Sequence, residues 1–184
     1  MAVDRVERLL RKLSDALNAA GVEYAIIGGN AVAAWVATVD ESAVRSTKDV
    51  DVLIRRGDLA RVTEALRTAD LVPVEVIGVF MFVDRRRPNP KTGVHVVFAG
   101  ERVRPEHNHN APDPSDSVEM EGGFKLVDLR RLVRMKLQAH RFIDRAHIQD
   151  LLAVGLIDDT VRDSLPPDLR ERLTAIEQSS DTMN

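Results

Sequence analysis

Val6, Leu9, Leu10, Leu13, Ala16 and Leu17 recur every three or four positions, and Gly21 follows where a C-terminal cap would sit. That spacing predicts an amphipathic helix over residues 3–20. The period then changes. Val22 to Ile27 is a short, β-branched run ended by Gly28-Gly29, the pattern of a strand entering a tight turn. Asn30 to Thr38 is rich in Ala and Val with no breaker, so a short buried helix is expected, with Asn30 as its N-cap. Residues 40–47 are polar and loop-like, and Asp49 to Ile54 alternates before turning apolar, which reads as a second strand. Gly57-Asp58 opens another helix, with Asp58 as cap and Leu59, Val62, Ala65, Leu66 and Ala69 on one face. Two strands, Val72–Val76 and Val79–Val83, are expected around Gly78. The turn Arg87-Pro88-Asn89-Pro90 then forbids regular pairing, and Val94–Phe98 forms the next strand.

Residues 101–122 carry three prolines and two histidines with little periodicity, and are expected to run as a long excursion over the surface. Beyond them the pattern is helical. Leu129, Leu132, Val133 and Leu137 mark one helix, Ile148, Leu151 and Leu152 a second, and Pro166-Pro167 the start of a third. The order is α-β-α-β-α-β-β-β followed by helices, so the expected class is α/β (α+β), a mixed β-sheet core with packed helices and a C-terminal helical segment. The expected boundaries are a core over 1–123, a helical extension over 124–178 and a disordered tail over 179–184.

With 184 residues, 44% of them hydrophobic, one core suffices without staples. Cysteine is absent, which excludes disulfides, thiolate metal sites and a Cys nucleophile. The N-terminal residues spread their charges and lack the apolar run of a secretion signal, and no stretch is long and apolar enough for a bilayer, so a cytoplasmic location is expected. A net charge of −3 argues against a polyanion binder by composition. The local basic clusters, Arg85 to Arg87 and the helix face at Arg130, Arg131, Arg134 and Lys136, read as a solvated turn and a solvated face.

The chemistry lies in four features taken in order: Gly28-Gly29 after a strand, a helix opening at Asn30, a polar loop with Arg45 and Thr47, and Asp49-Val50-Asp51 on the next strand. Successive strand residues point to opposite faces, so Asp49 and Asp51 project together while Val50 and Val52 face the core. Two neighbouring carboxylates repel unless a cation lies between them. Mg²⁺ suits that pair, because it takes one or two protein carboxylates and completes its shell with phosphate oxygens and water. Gly28 and Gly29 let the backbone approach a triphosphate, and the helix beyond offers free N–H groups to it.

Ile27-Gly28-Gly29-Asn30-Ala31, followed by Arg45-Ser46-Thr47-Lys48-Asp49-Val50-Asp51-Val52-Leu53, resembles the signature of DNA polymerase β-type nucleotidyltransferases. It is most similar to the small bacterial branch with AbiEii-like toxin proteins and antibiotic nucleotidyltransferases. The likeness covers about the first third of the chain. Downstream, Lys136-Leu137-Gln138-Ala139-His140-Arg141 resembles the Lys-x4-Arg pattern of AbiEii-like proteins, and Asp150 the Asp that follows it. The resemblance implies a nucleoside triphosphate held by Gly28, Gly29, Asn30, Arg45, Thr47, Lys136 and Arg141, with Mg²⁺ on Asp49 and Asp51 and Asp150 as an acid/base or positioning group. It implies transfer of a nucleoside monophosphate to a hydroxyl of RNA, such as tRNA, of a protein or of a small molecule. It also raises a toxin–antitoxin pairing with a cognate antitoxin.

One departure stands out. The superfamily's third carboxylate lies on a later strand, and the matching segment, Gly93-Val94-His95-Val96-Val97-Phe98, has His95 there. An imidazole can take a proton from a hydroxyl but cannot supply the missing negative charge. Three readings stay open: His95 is the base, Asp84 or Asp150 substitutes, or the chain is a catalytically reduced nucleotide- or partner-binding module. His107 and His109 lack a third ligand and read as a solvated loop, Trp35 as core, and His140 and His147 as surface residues.

Overall fold

In the computed structural model, residues 2–181 are described. The helices are α1 (Ala2–Ala19), α2 (Gly28–Ala37), α3 (Leu59–Thr68), α4 (Leu129–Ala139), α5 (Phe142–Ala153), α6 (Asp159–Asp163) and α7 (Pro167–Asp181). The strands are β1 (Tyr24–Ile27), β2 (Val50–Ile54), β3 (Leu71–Val76), β4 (Val79–Asp84), β5 (Val94–Phe98), β6 (Val118–Glu119) and β7 (Lys125–Leu126). They form one mixed seven-stranded sheet in the order β3-β4-β5-β2-β1-β7-β6.

Alternation along the central strands sorts the core into two layers. Tyr24 and Ile26 of β1, with Val50, Val52 and Ile54 of β2, face α1 and α3, where Leu13, Leu17, Val62 and Leu66 close over them. Ala25 and Ile27, with Leu53, face the other way and meet α2, α4, α5 and α7 through Val32, Leu132, Ile148 and Leu173. Trp35 packs against both layers and donates its indole N–H to the Val127 carbonyl at 3.1 Å. Each central strand therefore has a helix-covered surface on both sides, which is why its inward residues run almost continuously apolar.

Turn chemistry fixes the chain direction. Gly21 at φ +61° ends α1 in a Schellman motif, its N–H reaching the Asn18 carbonyl and the Val22 N–H reaching Leu17. The β3–β4 hairpin turns on Ile77 and Gly78, both at positive φ (+50° and +74°), as a two-residue primed turn requires. A β-branched residue there is strained, and Ile77 is also 99% exposed.

Several expectations change. The excursion over 101–122 contains β6 and, just beyond it, β7, which extend the sheet past β1. α6 is an additional helix, and α7 continues through Ser179 to Asp181, residues read as tail; 182–184 lie outside the described residues. Asp58 precedes α3 but makes no side-chain capping bond, and Ile27 rather than Asn30 occupies the N-cap of α2. Among the described residues no helix is long and apolar enough to cross a membrane.

Candidate active site

The register brings the diglycine turn onto the acidic strand. Ile27 of β1 pairs with Asp51 of β2, so the turn that follows Ile27 lies beside that carboxylate. Gly28 is held at φ +71°, and a Cβ there would fall 2.0 Å from Asp51 Oδ2. A Cβ on Gly29 would meet Thr47 Oγ1 at 2.8 Å and the His147 ring at 3.5 Å. The two glycines are thus required first by the protein's own side chains: any larger residue would push aside Asp51 or Thr47. The α2 N-cap, Ile27, supplies no side-chain oxygen, which leaves the first-turn amides for a ligand.

Asp49 lies just before β2 and is exposed, while its carbonyl accepts a 2.5 Å hydrogen bond from Asn30 Nδ2. Asn30 is buried, so its role is to tie the start of α2 to the acidic segment. Across the parallel β2–β5 pairing, Asp51 stands opposite His95, with Oδ1 and Nδ1 3.4 Å apart. The Asp51 carboxylate, accepting a hydrogen bond from the His95 ring, is the main cause of a raised His95 pKa; burial opposes it, and Asp49 adds to it. Both acids therefore act on the same imidazole. Carboxylates are the oxygen donors that a hard divalent cation takes, its other ligands coming from a substrate; of the two acids only Asp51 lines the adjoining cleft. Among the described residues no cluster of three His, Asp or Glu side chains is arranged for a metal, so the protein alone does not complete a shell.

Asp51 and His95 open into a cleft of about 730 Å³, a size suited to a nucleotide-sized ligand. The exposed β3–β4 tip and Phe98 form its apolar wall, with Arg56 stacked 3.7 Å over the Phe98 ring. Lys136, Arg141 and Asp144 line the cleft from the helical side. Lys136 is only 6% exposed, so the expected solvated basic face is wrong at this position. A left-handed His140 (φ +49°) turns α4 directly into α5, which folds Asp144 back onto Lys136. Asp144 is fully buried and accepts from Lys136 Nζ at 3.1 Å and from Arg141 Nε at 2.7 Å. Burial pushes the Asp144 carboxyl up, but Arg141 and Lys136 outweigh it and hold it ionised. Burial pulls the Lys136 ammonium below its usual range, with Asp144 opposing that shift.

Asp144 was not anticipated. Its only sequence signal is a place three residues after Arg141, where an acid caps the first turn of a helix. The remaining expected residues lie elsewhere. Arg45 and Asp150 grip each other through two hydrogen bonds of 2.8 and 2.9 Å, which ties the loop before β2 to α5; neither lines the cleft. Asp84 accepts from the backbone N–H groups of Arg86 and Arg87 at the end of β4. Three histidines correct their readings. His147 is buried, and desolvation lowers its pKa to about 4; His107 is buried as well, while His109 meets Asp168 at 3.1 Å.

A sheet with a glycine turn, an acidic strand beside it and helices closing the cleft is a fold that this chain shares with known nucleotidyltransferase and nucleotidyltransferase-like structures. An antigenic nucleotidyltransferase-like protein from Paracoccidioides brasiliensis superposes with a TM-score of 0.59 over 100% of this chain and 92% of its own, at 16% identity. The antibiotic-resistance factor ANT(2'')-Ia superposes with a TM-score of 0.51 over 97% and 85%, at 13% identity. No protein-family model and no curated sequence matches the chain.

Proposed function

We propose that this protein is an Mg²⁺-dependent nucleotidyltransferase that moves a nucleoside monophosphate from a triphosphate to an acceptor hydroxyl. The observation that carries the proposal is the seating of Asp51 against Gly28, which puts a carboxylate, an uncapped helix N-terminus and a cationic wall around one cleft. Asp49 and Asp51 would hold Mg²⁺, which when bound neutralises phosphate charge and favours departure of pyrophosphate. The amides at the start of α2 would meet the phosphates, and Lys136 and Arg141 would add positive charge from the neighbouring helical wall. His95 takes the proton of the acceptor hydroxyl, and the adjacent Asp51 stabilises the resulting imidazolium.

A second reading has its own observation. His95 occupies the strand position facing Asp51 where the resemblance calls for a third carboxylate, which supports a module that binds nucleotide without turnover. Toxin–antitoxin pairing rests on the sequence resemblance alone.

The test is isothermal titration with Mg²⁺ and a panel of nucleoside triphosphates, followed by pyrophosphate release with RNA and small hydroxylated acceptors. Asp49→Asn with Asp51→Asn should abolish metal-dependent binding; unchanged binding would refute the site. His95→Ala should lower pyrophosphate release by about 10²-fold or more if His95 is the base. If instead His95→Asp switches on a silent wild-type protein, the binding-module reading prevails.

A further inference from the structure

We infer that Asp144 is a positioning residue for triphosphate recognition: it fixes the Lys136 ammonium and the Arg141 guanidinium at one point on the cleft wall without touching the ligand. The inference rests on the nucleotide reading of the cleft and adds a residue that reading does not require.

Four donor groups converge on this one carboxylate. Lys136 Nζ and Arg141 Nη2 reach Oδ1 at 3.1 and 3.2 Å, while Arg141 Nε and the Arg141 backbone N–H reach Oδ2 at 2.7 and 3.2 Å. Arg141 caps α5 and Asp144 is its third residue, so the same side chain closes the helix start and aligns the two cations. Lys136 comes from α4, so the carboxylate also pins two helices at the left-handed turn. An ammonium this deeply buried on a flexible stem is costly unless paired. With Asp144 in place the cluster keeps a net positive charge beside the cleft, already ordered before any ligand arrives. Asp144 itself would repel a phosphate, and its two oxygens already serve the cations. It therefore acts through them.

Inorganic tripolyphosphate without metal is the probe, titrated into the full-length chain by calorimetry. Asp144→Asn keeps an oxygen for the Arg141 N–H but removes the charge, and should weaken binding about tenfold, the value of one charge-assisted hydrogen bond. Lys136→Met should weaken it similarly, and the double variant should be little worse than either single one, because both act as one unit. Asp144→Glu, which keeps the charge and the cap, should bind more tightly than the isosteric Asn variant. Fully additive losses, wild-type affinity in Asp144→Asn, a Glu variant weaker than Asn, or no binding of tripolyphosphate by the wild type would each overturn the inference. Failure of the nucleotide reading shows separately, as Mg²⁺–nucleotide binding indifferent to Asp49→Asn with Asp51→Asn while the metal-free titration is unchanged.

Discussion

Gly28 and Gly21 separate two reasons for a glycine. Both have positive φ, +71° and +61°, yet a Cβ at Gly21 meets nothing within 4 Å while one at Gly28 displaces Asp51. Gly21→Ala and Gly28→Ala should each cost about 1–2 kcal/mol of stability, measured by urea denaturation, because both force an L-residue into the left-handed region. Gly28→Ala alone should also abolish nucleotide binding, since the moving atom is a flexible carboxylate and the damage falls on the site. His147 contributes to the acid response. The unfolded chain takes up its proton near pH 6.5 and the folded one only near 4, so stability at this residue is intact above 6.5 and drains away as pH falls towards 4. The loss amounts to about 3 kcal/mol. In His147→Gln the denaturation midpoint should change less between pH 7 and 4.5 than in the wild type.

At the scale of elements, the helical face of α4 is the most informative place to perturb. Leu132 is fully buried in the apolar layer shared by the sheet, α2, α5 and α7, and Leu132→Ala should cost about 2–5 kcal/mol in denaturant unfolding. Elements of this kind were legible in the sequence, because an apolar stripe such as Leu129, Leu132, Val133 and Leu137 has one way to be buried. The acidic strand and its glycine turn were legible for the same reason: Val50 and Val52 had to face a core, which left Asp51 on the opposite side. What escaped was set by contacts distant in the chain. β6 and β7 are two residues each, too short to show a period, and exist because β1 offers them an edge. The place of Asp144 depends on a left-handed conformation at His140, which a single non-glycine residue does not announce in the sequence. His147 looked like any surface histidine because it lies against the glycine turn, more than a hundred residues earlier in the chain.

Across the whole molecule, the helices beyond residue 123 pack on the sheet rather than on one another alone. α4, α5 and α7 share their apolar layer with α2 and the sheet, and Trp35 touches both layers at once. Its fluorescence should therefore change together with far-ultraviolet circular dichroism in one cooperative unfolding transition, and two separated transitions would show that the C-terminal helices stand apart. Asp51 sits on β2, which has bonded neighbours on both sides, β1 and β5, and helices above and below. Backbone amides there should exchange with deuterium only through global unfolding, whereas those at the tip near Ile77 should exchange through small local fluctuations. Under the proposed function a ligand entering the cleft would meet a stationary floor beneath a compliant rim, and accommodation of differently shaped acceptors would fall to the rim.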